Sequence, residues 1–320
     1  MNYKIKKISG DASFREFYRL KKNNKTSIIV SAKKNKYQNL IVYSVISNIL
    51  NSNKIHAPRL INNHYGNNMI EISDLGDKSF YYSIVSKKNK LNEYKLLIKL
   101  IIKLQKIKIK RIYKLGKFKV KLSKYTSNHL HKESDLFFDW YLKYTLKKKK
   151  TSKIKKLLKT ELNKIYKKLN FKNNTFVHRD FHVSNIMLDK KKLGVIDSQD
   201  AIIGNPLYDV ASLIDDVRIK LSQDLQNNLF KFYYKNSKLK KEKMEKLKND
   251  FDILSVQRNL KILGIFVRLS KRDNKPSYLK FLPYTWTLIE RRLKNQVFKN
   301  FSILIRKHLP IKRLKQLNKI

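Results

Sequence analysis

The sequence predicts an α+β fold in which a small β-rich part, residues 1–76, is followed by a larger helical part, residues 77–320. Short β-branched runs separated by turn residues fill the first part, which is typical of strands. Long stretches in which apolar residues recur every three to four positions fill the second part, which is typical of helices. With 320 residues, 42% of them hydrophobic, the chain is long enough to bury a sizeable core.

The β-rich part is predicted to contain two pairs of strands and one helix. The turn at residues 21–25 separates two apolar runs and predicts a hairpin, and a second pair is expected on either side of residues 64–66. Between the pairs, residues 39–50 have the apolar spacing of a helix. The segment SGDAS, residues 9–13, is either an ordinary hairpin entry or a tight turn whose backbone amides approach a phosphate.

The second part is predicted to contain long amphipathic helices. Phe137, Phe138, Trp140 and Tyr141 are expected to be core residues rather than a stack for a ligand, because they cover the shoulder of one helix. The basic tail that begins at Lys307 predicts poor order. The predicted helices span residues 91–107, 133–146, 153–169, 229–235, 251–270 and 284–293.

The chain is strongly basic, with 74 Lys and Arg residues against 24 Asp and Glu and a formal net charge of +50. Only 13 of the basic residues are Arg, and the Lys residues are spread along the whole chain. Proteins that read nucleic acid specifically favour Arg and concentrate charge on one face. We therefore expect no specific nucleic-acid partner, although weak binding to polyanions at low salt is expected.

Composition also limits the compartment. The sequence contains no cysteine, so disulfides and thiolate metal sites are excluded. The first residues, MNYKIKKISG, lack the apolar region of a signal peptide, and no run of eighteen apolar residues follows. These features predict a cytoplasmic protein with no membrane partner, and they leave the oligomeric state open.

One stretch runs against the basic composition. Residues 176–217 contain seven Asp against four Lys and Arg. Within it, His178, Asp180 and Asn185 form the pattern HxDxxxxN, and an apolar run leads on to Asp197. Asn185 follows Asp180 by five residues and Asp197 follows Asn185 by twelve, a spacing typical of kinase loops that carry a base and two metal ligands. The stretch therefore predicts Mg²⁺ binding and transfer of a phosphoryl group from ATP to a hydroxyl.

The HxDxxxxN pattern alone also arises by chance, with its His and Asp in structural roles. Two features favour the catalytic interpretation: the β-branched residues that precede the pattern, and the strand-like run after it that ends in an aspartate. A hairpin around residues 189–192 is expected to return Asp197 to the loop. His178 is expected to orient the loop through hydrogen bonds rather than to act as the base.

Six blocks of sequence resemble the aminoglycoside phosphotransferase and choline kinase superfamily. In order they are GDASFREFYRL, ISDLGDKSFY, ESDLFFDWYL, VHRDFHVSNIML, GVIDSQDAIIGNPLYDVASLIDD and VQRNLKILGIFVRLSKRDNKPSYL. The last two are most similar to those of bacterial anomeric kinases that act on N-acetylmuramate and N-acetylglucosamine. The resemblance implies a two-lobed fold of the protein-kinase type. It also implies ATP-dependent phosphorylation of the anomeric hydroxyl of an amino sugar, in the recycling of peptidoglycan fragments.

The resemblance assigns roles to individual residues. It implies that Asp180 is the general base and that Asn185 and Asp197 are the Mg²⁺ ligands. Binding of the nucleotide is assigned to Ser9, Gly10, Asp11, Ala12 and Ser13 as a phosphate-covering loop, together with Lys33.

Four further residues belong to the same blocks. Asp209 is expected to be a structural anchor for the catalytic loop, whereas sugar binding and a structural role stay open for Asp200. Arg258 and Arg268 lie ten residues apart in one helical block. One of them, with Arg258 as the candidate, meets a carboxylate of the substrate, or both are structural.

Two departures from the family pattern support alternative functions. Ser198 follows the metal aspartate where a Phe is usual, and no Glu occurs between Glu16 and Glu71 to pair with a strand lysine. With the high positive charge, these departures suggest a catalytically reduced protein that binds nucleotides or polyanions. A kinase for another small hydroxyl substrate, of the aminoglycoside or choline type, is the second alternative.

Overall fold

The computed structural model describes residues 3–8, 15–23, 25–33, 38–146 and 148–309, without the side chains of residues 148–150. The nucleotide-binding segment predicted at residues 9–13 lies outside the described residues. Where described, the chain forms two compact units. Unit 1 comprises residues 1–93, 103–123 and 175–203, and unit 2 comprises residues 94–102, 124–174 and 204–320. The lobe boundary at residue 76 stays a prediction.

The described strands are β1 (Tyr3–Ile8), β2 (Glu16–Lys22), β3 (Lys25–Ser31), β4 (Leu60–His64), β5 (Met69–Ser73), β6 (Tyr113–Leu115), β7 (Phe118–Val120), β8 (Thr175–Val177), β9 (Ile186–Asp189), β10 (Lys192–Val195) and β11 (Ile202–Gly204). The described α-helices are α1 (Gln38–Ser52), α2 (Phe80–Ile84), α3 (Leu91–Gln105), α4 (Ser127–Leu136), α5 (Lys143–Thr145), α6 (Lys148–Tyr166), α7 (Leu207–Ile214), α8 (Gln223–Asn236), α9 (Met244–Arg272), α10 (Leu282–Arg292) and α11 (Lys299–His308). A π-helical segment, Phe137–Leu142, joins α4 to α5, and short 3₁₀ turns lie at Tyr65–Asn67, Val183–Asn185, Lys238–Lys241, Pro276–Phe281 and Gln296–Phe298.

Unit 1 is built on an antiparallel sheet with the strand order β1-β2-β3-β5-β4. The β-branched residues of β3 and β5 alternate between faces, and Val30 and Ile70 are fully buried on the face that α1 covers. Leu40 and Tyr43 of α1 complete this apolar cluster. The predicted hairpin, the second strand pair and the helix between them are confirmed. Strand β1 and the hairpin of β6 and β7 were not predicted.

Smaller two-stranded sheets in unit 1 flank the stretch that contains Asp180, Asn185 and Asp197. Strand β8 pairs with β11, and β9 pairs with β10 as the predicted hairpin. The turn of that hairpin is formed by Lys190 and Lys191, whose φ angles of 44° and 68° are in the left-handed region. Such angles reverse the chain within two residues, so the strands stay in register and the chain returns directly to Asp197.

Unit 2 is helical, and its core surrounds the long helix α9. Gly264 of α9 lies so close to α4 that a Cβ atom there would be 2.2 Å from the backbone carbonyl of Leu136. Just beyond this contact the π-helical segment buries Phe137, Phe138 and Tyr141, as predicted, whereas Trp140 is only partly buried. The π-helical turn was not predicted, because an extra residue in one turn breaks the 3.6-residue period.

The predicted α+β class, with a β-rich N-terminal part and a larger helical part, is confirmed. The expectation of poor order from Lys307 is wrong for Lys307 and His308, which form the last turn of α11. The Lys307 cation lies where the helix dipole favours positive charge. Among the described residues, no helix is both long enough and apolar enough to cross a bilayer.

Candidate active site

The loop that follows β8 carries Asp180. The buried residues Phe176 and Val177 hold the strand, and the chain then turns through Arg179, whose φ of 78° is left-handed. This conformation is uncommon for a residue other than glycine and is frequent at functional sites. It leaves the Asp180 side chain 49% exposed, so the carboxylate remains accessible on an otherwise buried segment.

Asn185 fixes Asp180 within this loop. Its Nδ2 donates hydrogen bonds to the Asp180 backbone carbonyl at 3.0 Å and to Asp180 Oδ2 at 3.3 Å. The 3₁₀ turn Val183–Asn185 brings the two residues together across their five-residue separation. Because Nδ2 faces Asp180, the other amide atom, Oδ1, is left to meet a cation.

His178 also anchors this loop. Its Nε2 donates to the backbone carbonyl of Ile196 at 3.0 Å, and its Nδ1 accepts from the Asp180 N–H at 3.3 Å. These partners assign the hydrogen to Nε2, which is the neutral form of the ring. The side chain is fully buried. The geometry agrees with the orienting role predicted for His178, although the role itself stays a prediction.

The hairpin of β9 and β10 brings Asp197 to this loop. Ile196, the preceding residue, donates its N–H to the Asn185 carbonyl at 3.1 Å, while its own carbonyl is the acceptor for His178. Asp197 itself has a left-handed φ of 59°. One backbone hydrogen bond and one from the His178 side chain therefore hold the residue before Asp197 against the loop of Asp180 and Asn185, all within unit 1.

His56 ties the hairpin to the rest of unit 1. Its Nε2 donates to Asp189 Oδ2 at 2.8 Å, and its carbonyl accepts from the Val195 N–H at 2.8 Å. Gly194 permits this approach, since a Cβ atom there would lie 3.2 Å from the His56 ring and 2.6 Å from a methyl group of Leu75. These contacts limit the freedom of the hairpin and so of Asp197.

The donor set suits Mg²⁺. Asn185 supplies an amide oxygen and Asp197 a carboxylate whose side chain is 40% exposed. Within the described part of the chain, no three or more His, Asp or Glu side chains form a group that could hold a metal. Mg²⁺ is usually held by one or two protein oxygens, with waters and substrate phosphates completing its octahedral shell, rather than by a protein cage.

Three side chains not assigned from the sequence contact these residues. His182, which is almost fully buried, places its Nε2 at 3.4 Å from Asp180 Oδ1. Arg15, also buried, places its Nη2 at 3.4 Å from Asp197 Oδ1, and Gln199 donates to the same oxygen at 2.8 Å. His182 lies within the HxDxxxxN pattern, so the sequence could have indicated it as a residue of the site. Nothing in the sequence pattern points to the contact of Arg15, which is 182 residues from Asp197.

The model of the phosphotransferase enzyme family matches residues 4–239, which is most of the chain. The chain belongs to this family. It is therefore an enzyme that transfers a phosphoryl group to a hydroxyl, as predicted.

Two relatives agree with this assignment. The chain is 27% identical over 292 residues to the N-acetylmuramate/N-acetylglucosamine kinase of Pseudomonas aeruginosa, covering 89% of this chain and 83% of the relative. It is 25% identical to the kinase of the same name from Neisseria meningitidis, covering 86% of this chain and 81% of the relative.

Two solved structures show the fold. A choline kinase from Cryptosporidium parvum has a TM-score of 0.62 at 14% identity, covering 97% of this chain and 92% of that one. A spectinomycin phosphotransferase has a TM-score of 0.61 at 13% identity, covering 92% of this chain and 93% of that one. The predicted fold of the protein-kinase type is thereby confirmed.

The structure also describes the other residues predicted for the site of this phosphotransferase. Asp200 is exposed and accepts from Gln199 at 3.3 Å, and Lys33 is exposed two residues after β3 ends. Asp209 is buried in the first turn of α7 in unit 2. Arg258 is buried on α9, also in unit 2. Their roles stay predictions.

The acidic stretch that stands out in the sequence is divided between the two units. Asp180, Asp189 and Asp197 belong to unit 1, but Asp215 belongs to unit 2. There it is fully buried and accepts from Arg292 Nε at 2.9 Å and Nη2 at 2.7 Å. A paired, bidentate carboxylate of this kind is structural, so local excess of acid does not by itself mark the site.

Proposed function

We propose that this phosphotransferase uses ATP and Mg²⁺ to phosphorylate the anomeric hydroxyl of N-acetylmuramate and N-acetylglucosamine. The observation that carries the proposal is the accessible Asp180 carboxylate, held by Asn185 in a loop that is bonded to the residue before Asp197. The names of the relatives that match over most of the chain supply the class of sugar. Such a kinase acts on sugars released from peptidoglycan and returns them to use.

Asp180 is proposed as the base that accepts the proton of the attacking hydroxyl. A base must be accessible and fixed, and Asp180 is half exposed while Asn185 and His178 restrain its backbone and side chain. Asn185 Oδ1 and the Asp197 carboxylate would hold Mg²⁺. When bound, the ion neutralises charge on the transferred phosphoryl group and orients it for in-line attack.

Arg258 supports a substrate that carries an anion. Its side chain is only 4% exposed, and its Nη1 has no hydrogen-bond partner among the described residues. A buried guanidinium without a carboxylate is costly in free energy unless a ligand provides one. N-Acetylmuramate carries a lactyl carboxylate that N-acetylglucosamine lacks, and we propose that Arg258 recognises it.

A substrate panel tests the proposal against its alternatives. The full chain with ATP and Mg²⁺ is offered N-acetylmuramate, N-acetylglucosamine, aminoglycosides and choline, and release of ADP is measured. We expect turnover of the two amino sugars, with ³¹P NMR showing a sugar 1-phosphate. Preference for an aminoglycoside or choline would replace the proposed substrate class. No turnover, with thermal stabilisation by nucleic acid that salt removes, would favour a polyanion-binding protein.

A further inference from the structure

Arg15 places a buried cation beside the proposed metal ligand. It directly precedes β2, and the register of β2 with β3 pairs Glu16 with Ser31, so Arg15 lies at the sheet end where β3 finishes. Its side chain is only 4% exposed, whereas that of Asp197 is 40% exposed. The ion pair between them, at 3.4 Å, thus joins a buried guanidinium to a carboxylate that remains accessible to a ligand.

Helix α1 supports this cation with an aromatic ring. The Arg15 guanidinium carbon lies 6.0 Å from the centroid of the Tyr43 ring, at the outer limit of cation–π contacts. Tyr43 is buried in the cluster between α1 and the sheet, beside Val30 and Ala32. Burial raises the pKa of Tyr43 well above its ordinary value of 10, so the ring faces the cation as a neutral phenol.

This arrangement differs from the one known in protein kinases. There, a lysine on the third strand contacts the phosphates and pairs with a glutamate on the following helix. Helix α1, with the sequence QNLIVYSVISNILNS, contains no acidic residue. Lys33, the lysine just beyond β3, is exposed, while its neighbour Ala32 points into the core. Neither half of the kinase pair is therefore at its usual place in the described residues.

We propose that Arg15, held over Tyr43, is the cation of the nucleotide site and takes the place of the strand lysine. Arginine suits this role because its planar group carries five donors and can hold a carboxylate and a phosphate oxygen together. Arg15 would keep Asp197 in position before the nucleotide arrives and contact the phosphates afterwards. The inference rests on the proposed ATP-dependent function, but it does not depend on which sugar is the acceptor.

Calorimetric titration of the full chain with ATP and Mg²⁺, without sugar, tests the proposal. Arg15→Met keeps the length of the side chain and removes its charge, and Arg15→Lys keeps the charge without the planar fork. We expect Arg15→Met to raise the Kd for ATP by about 10- to 100-fold, and Arg15→Lys to lie between Arg15→Met and the unmodified chain. Arg111→Met, which removes an exposed arginine of unit 1, is the matched control and leaves the Kd unchanged.

A purely structural role for Arg15 is distinguished by steady-state kinetics. If Arg15 is the cation of the nucleotide site, replacing it raises the KM for ATP and leaves the KM for the sugar unchanged, whereas misfolding of the variant weakens binding of both substrates. Tyr43→Leu, which removes the ring, is expected to weaken ATP binding more than Tyr43→Phe, which retains it.

Three results would overturn the inference. The first is an unchanged Kd for ATP in Arg15→Met, and the second is a greater loss of ATP affinity in Lys33→Met than in Arg15→Met. The third applies where Arg15→Met does not fold, and it is an Arg15→Lys chain that binds ATP as tightly as the unmodified one. Failure of the proposed function has a different signature. In that case the unmodified chain binds ATP through Arg15 but turns over no amino sugar, and the inference about Arg15 stands.

Discussion

Replacing Arg258 by Met should change the choice between two sugars without weakening the fold. The perturbation removes a guanidinium that is 4% exposed and whose Nη1 has no partner in the described part of the chain. Methionine fills a similar volume without charge. If the lactyl carboxylate of N-acetylmuramate is the missing partner, the variant loses a charged hydrogen-bonded pair with that sugar and loses nothing with N-acetylglucosamine.

The size of the effect follows from the burial of the pair. A hydrogen bond to a charged group contributes about 1.5–3 kcal/mol, and the low exposure of Arg258 places this contact toward the upper end. The ratio of kcat/KM for N-acetylmuramate to that for N-acetylglucosamine should therefore fall by about 10- to 150-fold. The assay is the release of ADP with each sugar, measured for both enzymes under the same conditions.

Stability gives an independent check. Removing an uncompensated buried charge should leave the free energy of unfolding in urea equal or higher, whereas breaking a structural buried ion pair costs about 3–5 kcal/mol. Arg268→Met serves as the matched variant, since Arg268 is the other arginine of this helical block. The reasoning is refuted if Arg258→Met lowers kcat/KM equally for both sugars, or if Arg268→Met produces the selective loss.

Two further predictions concern stability. Gly264→Ala should lower the free energy of unfolding by about 1–3 kcal/mol, although Ala favours helix, because its Cβ would meet the Leu136 backbone at 2.2 Å. Gly66→Ala, whose Cβ meets nothing within 4 Å, is the control, and equal losses in the two variants would contradict this packing. The hydrogen bond from the Ser27 hydroxyl lowers the pKa of Glu71 below its ordinary value of 4.5. The Glu71 carboxylate therefore stabilises the fold fully above pH 4.5, and this stabilisation is lost as the pH falls through the lowered pKa. The stability difference between the unmodified chain and Glu71→Gln in urea should therefore shrink on acidification below pH 4.5, and a constant difference would count against this account.

The elements predicted from the sequence were those with a clear apolar period. The hairpin of β2 and β3 was predicted because β3 buries alternate residues beside a polar turn. Strand β1 was missed because five of its six residues are exposed, so its alternation has no apolar face. Its register with β2 comes from pairing in the folded chain, which local sequence does not reveal.

The site divides in the same way. Asp180 and Asn185 could be predicted to lie together because a loop fixes their spacing, and Asp197 because a hairpin links it to them, as the structure shows; their roles stay predictions. The contact of Arg15 with Asp197 joins residues 182 positions apart, and only the folding of the sheet brings them together. The sequence shows that helix α1 lacks a glutamate, but it does not show that Arg15 contacts Asp197.

The central claim is that Asp180 is the base for phosphoryl transfer to an amino sugar. It is tested most directly by Asp180→Asn, which keeps the shape of the side chain and removes its capacity to accept a proton at neutral pH. Asp224→Asn, at an exposed aspartate of α8, is the control. The account predicts that Asp180→Asn retains ATP binding while kcat for N-acetylmuramate falls by about 100- to 10,000-fold. Turnover at the rate of the unmodified enzyme would contradict it.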